Sequence, residues 1–268
     1  VDALKAGIDW IKQRPIDLDL FKEMNRLLLD GVRGDDDSAG KFRDVQNFIG
    51  RSSHPEEANF IPPPVEDLSP LLRQLVRYLN QDRNYPPIVK IALIHYQFET
   101  IHPFVDGNGR VGRLLITLLL SAYKLLPIPL LFLSAYFEDD KQEYYRQLLS
   151  VSQKGTWEAW LEYFLKAVIY QSKDAVKRSD GLIDLREGWR TKLNEQNTSS
   201  NYYTIIDRLF TTPYISVSDV EKRLGVTNKA ARQMVKKLVD LDILVLSKDV
   251  KYGKVYEAKG IIEIIQKI

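Results

Sequence analysis

His102-Pro-Phe-Val-Asp-Gly-Asn-Gly-Arg-Val-Gly-Arg113 is the stretch from which the rest of the chain is read. It joins two apolar segments of helical periodicity, Ile88 to Thr100 ahead of it and Arg110 to Lys124 behind it. Pro103 lacks an N–H and stops the first helix at His102. Gly107, Asn108 and Gly109 then form a loop with no Cβ at two of three positions, so its N–H groups can crowd an anion. The loop feeds into a helix whose first turn adds free N–H groups and the positive end of the dipole. The spacing predicts a buried helix–loop–helix with a phosphate-binding loop.

The side chains agree with that chemistry. Arg110 and Arg113 lie three apart and share one face of the helix's first turn, where two guanidinium groups suit a polyphosphate. Asp106 is a hard oxygen ligand placed to hold a magnesium ion that bridges phosphates. His102 sets an imidazole beside the loop, where it accepts a proton from an attacking hydroxyl. The Gly-Lys-Ser/Thr ending of a Walker A loop is missing, as are the kinase glycine loop and strand lysine, which disfavours γ-phosphoryl transfer of those kinds.

Helical periodicity extends outward from this centre. It covers Leu4 to about Gly31 (with Asp17 or Asp19 as a cap), Val65 to Leu79, Lys141 to Gln153 and Trp157 to about Arg190. Between the first helices, short β-favouring pieces around a polar turn predict a small hairpin from about Phe48 to Phe60. The polar stretch Asn194 to Asn201 predicts a linker, dividing the chain into 1–193 and 202–268. In the second part, a helix over Tyr202–Leu209, a capping box at Ser218–Glu221, a turn at Gly225, a helix capped by Thr227 and two strands around Gly253 predict a winged helix-turn-helix. The expected fold is mainly α, with a small hairpin and a C-terminal α+β domain.

Whole-chain numbers narrow the class. Lys and Arg total 38 against 36 Asp and Glu, so bulk charge neither demands nor excludes nucleic acid. There is no cysteine, hence no disulfide and no thiolate chemistry, which fits a reducing cytoplasm. Three histidines, His54, His95 and His102, with no clustered pattern argue against structural zinc. No apolar run approaches the roughly 20 residues of a membrane-spanning helix, so no membrane partner is expected. The chain starts at Val1 within a helix-like pattern, and we expect N-terminal sequence to precede it.

HPFVDGNGRVGR resembles the signature of the Fic family, HPFx(D/E)GNGRxxR, at every defining position. GKFRDVQNFIG, FIPPP, HYQFETIHPF, PLLFLSAYFED and YYRQLLSV extend the resemblance over about Asp17 to Tyr170. It implies a helical Fic core with a hairpin flap, and a transferase that moves AMP from ATP to a Ser, Thr or Tyr hydroxyl of a protein, or of itself. The resemblance makes His102 the base, Asp106 the magnesium ligand, and Gly107, Asn108, Gly109, Arg110, Val111, Gly112 and Arg113 the nucleotide-binding segment. Phe104 becomes a core anchor, and Tyr144 and Tyr145 lie near the base or ribose. Asp140 stands where many relatives carry Asn, while His95 and Gln97 read as structural. The resemblance also implies homodimers and a regulatory [S/T]xxxE[G/N] helix whose glutamate restrains the second arginine. Ser134 to Glu138 is a poor copy of that pattern, so the regulatory helix is expected upstream of Val1 and Arg113 is expected to be unrestrained.

Two other readings stand beside this one. Lys229, Arg232 and Lys236 form a basic stripe at i, i+3, i+7, with Lys237 beside it and Lys248, Lys251 and Lys254 on the wing, which suits DNA phosphates. Asn228, Arg232 and Gln233 are the side chains suited to base edges. A DNA-binding regulator with a Fic-like sensor domain is therefore the rival class, although a sensor needs neither the imidazole nor the metal carboxylate. A relative that transfers another phosphate-linked group is the third.

Overall fold

The computed structural model describes residues 2–30, 38–50, 55–81, 85–126, 131–247 and 253–266. The chain divides into two compact units, Val1–Ser172 and Lys173–Ile268.

The first unit is built from α1 (Asp2–Gln13), α2 (Leu18–Leu29), a hairpin of β1 (Ile49–Gly50) and β2 (Ala58–Phe60), α3 (Val65–Gln81), α4 (Pro87–Ile101), α5 (Asn108–Ala122), α6 (Ser134–Asp139) and α7 (Lys141–Lys154), and α8 (Trp157–Glu195) starts within it. Helices α4 and α5 are apolar on most of their circumference and are therefore central. Ile91, Ile94, Phe98 and Ile101 from α4 meet Val111, Leu115, Leu118 and Leu119 from α5, and all are essentially inaccessible. Helices α1 and α2 pack on α5, and α3 packs on α4. Asp17 caps α2 by accepting the Leu20 N–H at 2.9 Å. The hairpin pairs Ile49 with Phe60 and Gly50 with Ala58 in antiparallel register. Residues 51–54, His54 among them, lie outside the described residues.

Helix α8 departs from the expected domain plan. It runs unbroken from Trp157 to Glu195, placing Trp160, Phe164 and Ala167 in the first core and Trp189 and Leu193 in the second. The division falls at Ser172/Lys173, and the expected linker at 194–201 holds the end of α8, a short turn and the start of the next helix, all inside the second unit. Within that stretch Asn197 takes a left-handed φ of 46°, and the Thr198 hydroxyl donates to the Leu193 carbonyl at 2.9 Å.

The second unit continues with α9 (Ser200–Leu209), β3 (Tyr214–Ser216), α10 (Val217–Leu224), α11 (Asn228–Asp240), β4 (Val245–Leu246), β5 (Val255–Glu257) and α12 (Lys259–Gln266). Its antiparallel sheet has the order β3-β5-β4. The capping box lies two residues before the expected position. Ser216 accepts the Asp219 N–H, and Asp219 accepts the Ser216 N–H in return. Thr227 caps α11 as expected, and Gly225 ends α10 at φ 62°. Strand β3 and helix α12 lie outside the expected plan; the three residues of β3 are too few for periodicity to register, and α12 is only eight residues long.

Trp160 is fully buried in the first core and donates its indole N–H to the Ala92 carbonyl at 3.1 Å. Trp160→Ala is expected to destabilise the first unit by about 3–5 kcal/mol, read as a lower denaturant midpoint at unchanged slope.

Candidate active site

The helix α4 ends at His102, which adopts a left-handed backbone (φ 50°, ψ 62°) and donates its N–H to the Phe98 carbonyl at 3.0 Å. That conformation is uncommon outside glycine and needs support from its surroundings. Arg43 supplies it. Only 3% exposed, Arg43 donates from Nε to the His102 carbonyl at 2.9 Å and from its backbone N–H to the Pro103 carbonyl at 2.9 Å. Its remaining guanidinium nitrogens bond the carbonyls of Val45 and Pro63. One side chain thus ties the loop after α4 to the segments on both sides of the hairpin. Burial holds the Arg43 pKa below its ordinary value.

His102 Nδ1 lies 3.2 Å from the Glu99 carbonyl. A carbonyl only accepts, so Nδ1 carries the hydrogen and Nε2 keeps its lone pair. Burial lowers the pKa to about 4, outweighing the opposing hydrogen bond to the Glu99 backbone and the charge of Asp106. The imidazole is therefore neutral near pH 7, the state a proton acceptor requires.

The glycine loop is braced from beneath. Asn25, a fully buried residue of α2, donates to the Asp106 carbonyl at 2.9 Å and accepts the Gly40 N–H at 2.8 Å. Gly107 has φ 84°, and a Cβ there would come within 2.8 Å of the Asn25 amide. Asn108 folds back on the loop: its Oδ1 accepts the Phe104 N–H at 2.8 Å and its Nδ2 donates to the Phe104 carbonyl at 2.7 Å. Asn47 donates to that same carbonyl at 2.7 Å. Phe104 is buried against Phe42, the anchor that the sequence reading expected.

A pocket of about 220 Å³ opens over this loop. His102, Asp106, Gly107, Asn108, Gly109, Arg110, Arg113 and Tyr145 of the expected site line it, joined by Val105, Glu138 and Lys141. The volume is below the roughly 300–1,000 Å³ of a site that encloses a whole ligand, so it suits phosphates with the remainder of the ligand outside. A larger cavity of about 780 Å³ lies elsewhere in the unit beside Asn80, Lys90 and Tyr123, and none of the motif residues line it.

Four expected site residues are placed otherwise. Val111 is fully buried in the core. Gly112 faces α4, where a Cβ would run into the Glu99 carboxyl, and its carbonyl lies 3.1 Å from His95 Nδ1. Tyr144 is buried with its hydroxyl 2.9 Å from His95 Nε2. Asp140 caps α7 by accepting the Glu143 N–H at 3.0 Å. Val111, Gly112 and Tyr144 thus set the spacing of α4, α5 and α7. Asn108 contributes its backbone to the pocket while its side chain is consumed by the loop.

The expectation that Arg113 stands unrestrained is corrected. Its guanidinium lies 3.1 Å from Glu138 Oε1, supplied by the short helix α6 from the segment judged a poor copy of the regulatory pattern. Asp106 is 3.2 Å from Arg110 and accepts the Gly107 N–H, while its side chain is 67% exposed. Among the described residues no three His, Cys, Asp or Glu side chains converge to hold a metal. A lone carboxylate still fits magnesium, which commonly takes one or two carboxylates and completes its shell with substrate phosphates and water.

Asn25, Arg43 and Lys141 escaped the sequence reading as site residues, and Glu138 entered it only as the end of a poor copy of the regulatory pattern. Asn25 left one trace, an amide on the apolar face of α2 among Phe21, Met24 and Leu28.

Residues 15–120 match the Fic/DOC family. The matched residues lie within the first unit. The chain is 31% identical over 171 residues to the protein adenylyltransferase fic-1 of Caenorhabditis briggsae, covering 62% of this chain and 30% of the relative. It is 37% identical over 119 residues to the protein adenylyltransferase Fic of Drosophila melanogaster, covering 43% of this chain and 22% of the relative. The chain thus spans less than a third of either relative. A crystal structure of a Fic family protein from Desulfovibrio desulfuricans shares the fold, with a TM-score of 0.54 at 22% identity over 95% of this chain and 72% of that one.

The folded-state pKa of His102, about 4, lies below the ordinary value of 6.5. NMR titration is expected to show the His102 ring neutral at pH 6 and protonating near pH 4, whereas a midpoint near 6.5 contradicts the burial. The sign for stability follows: the ring's contribution is complete above pH 6.5 and is lost as the pH falls from there toward 4.

Proposed function

We propose that the chain is a protein adenylyltransferase that transfers AMP from ATP to a Ser, Thr or Tyr hydroxyl of a protein and releases pyrophosphate. The observation that carries this reading is the neutral His102, with Nε2 free, in one pocket with the N-terminus of α5 and two arginines. His102 Nε2 takes the hydroxyl proton as the oxygen attacks the α-phosphorus. The bond from that phosphorus to the bridging oxygen breaks, and pyrophosphate leaves with the electron pair. The N–H groups at the start of α5, which have no carbonyl partner within the helix, face the phosphate oxygens. Arg110 and Arg113 bind the β and γ phosphates. A magnesium ion on Asp106 and the phosphate oxygens would neutralise charge on the leaving group. The hairpin of β1 and β2 has the form of a flap on which a target segment pairs as an added strand.

Incubation with Mg²⁺, cell lysate and ATP labelled at the α-phosphate is expected to label protein bands, the chain itself included. His102→Ala should lower the rate by about 10²- to 10⁴-fold. Undiminished labelling by that variant removes His102 as the base, and label arriving only from the γ-phosphate shows phosphorylation instead. Mass measurement of the modified peptide separates AMP from other phosphate-linked groups.

We infer further that the second unit is a winged helix that binds DNA through α11. Lys229, Arg232 and Lys236 are exposed along that helix, opposite the buried Ala231, Met234, Val235 and Leu238. Lys254 is exposed beside β5, while Lys248 and Lys251 lie outside the described residues. Replacing all three α11 cations by Gln is expected to abolish a gel shift on duplex DNA, and each single replacement is expected to flatten the salt dependence of that shift by roughly one unit of slope. A shift that survives the triple change rules out this face. DNA binding combined with no nucleotidyl transfer would favour the regulator with a sensor domain.

A further inference from the structure

Glu138 links two cations at one edge of the pocket. Its Oε1 lies 3.1 Å from the Arg113 guanidinium and its Oε2 lies 3.5 Å from Lys141 Nζ. Arg113 is the fixed member: its side chain is 16% exposed, and a Cβ on Gly109 would come within 3.0 Å of its Nη1. Glu138 and Lys141 are far more open, with side chains 46% and 54% exposed.

The charges show what the arrangement is suited to bind. Arg110, Arg113 and Lys141 face the pocket against the carboxylates Asp106 and Glu138, and Asp106 is already engaged with Arg110 and the Gly107 N–H. Glu138 is thus a single negative charge lodged between two cations, in a pocket whose other walls present N–H groups to an anion. A half-exposed ion pair contributes little, because water screens it and both side chains lose freedom. A terminal phosphate, like a phosphomonoester, carries about −1.5 to −2 charges and three acceptor oxygens. It outcompetes a carboxylate for the same two donors.

We propose that Lys141 is a further phosphate-binding residue, which with Arg113 forms a subsite for the terminal phosphate of a nucleoside triphosphate, held by Glu138 until that phosphate displaces it. The proposal rests on the adenylyl-transfer reading. It makes the subsite a discriminator of phosphate number: a triphosphate reaches Lys141, and a monophosphate held at the glycine loop does not.

The test is calorimetric titration of the full chain with a non-hydrolysable ATP analogue and, separately, with AMP, both with Mg²⁺. Glu138→Gln is expected to tighten analogue binding by about 3- to 5-fold, the size of a lost competition with an exposed ion pair, and to leave AMP binding unchanged. Lys141→Gln added to Glu138→Gln should weaken the analogue several-fold and again leave AMP unchanged. Both side chains are substantially exposed, so folding should survive, and circular dichroism checks it. An unchanged or weaker analogue affinity in Glu138→Gln overturns the proposal. Equal shifts for AMP and the analogue also overturn it, since they show only the general field of the charge. So does a Lys141 change without effect in the Glu138→Gln background. Failure of the analogue to bind either the unaltered chain or Glu138→Gln overturns this inference together with the transfer reading, whereas analogue binding without these shifts overturns the inference alone.

Discussion

A backbone that offers its N–H groups to a ligand must have its carbonyls and its shape secured from behind, because a buried polar group without a partner costs about 1–3 kcal/mol. The loop from His102 to Gly109 meets this demand with four side chains. Arg43 takes the His102 carbonyl, Asn25 takes that of Asp106, and Asn47 and Asn108 share that of Phe104. The donors come from three different parts of the chain: α2, the segment ahead of β1, and the start of α5. Each satisfies loop polarity on the core side and leaves the start of α5 open on the pocket side.

Behind the loop lies a second polar chain in an apolar setting. His95 Nδ1 donates to the Gly112 carbonyl and its Nε2 accepts from the Tyr144 hydroxyl, with Phe137 stacked parallel to the ring at 5.8 Å. Burial drives the His95 pKa down to about 3, so the ring is a neutral bridge between α4, α5 and α7. Glu99, one turn along α4, has a buried Oε1 with no hydrogen-bond partner among the described residues, and burial raises its pKa to about 7. The missing Cβ of Gly112 makes room for that carboxyl. Gly112 is thus required by packing between helices, although it sits inside a motif otherwise concerned with a ligand.

The same separation of roles runs through α7. Tyr144 points inward to His95 and Tyr145 outward to the pocket, where the Lys141 ammonium lies 5.9 Å from its ring. Neighbours in a helix face about 100° apart, so a tyrosine pair cannot serve one surface. Asp140 starts the helix by capping it, and that cap sets the direction in which Lys141 and Tyr145 project.

The sequence alone determined the helices, the helix stop ahead of Pro103, the glycine loop and the pairing of imidazole, carboxylate and arginines. All of that chemistry lies within twelve consecutive residues, where spacing on a helix and the dihedral limits of Pro and Gly dictate position. It also indicated a second unit, though not where the first ends, because α8 changes cores at Ser172/Lys173 without any break in its periodicity. Only the tertiary structure decided which residues support the loop and what Arg113 touches. Asn25 lies 81 residues from Asp106 and Arg43 lies 59 from His102. Glu138 reaches Arg113 from a six-residue helix after an intervening loop. Contacts at such separations follow from how α2, α5 and α6 pack, and local propensity carries no record of packing.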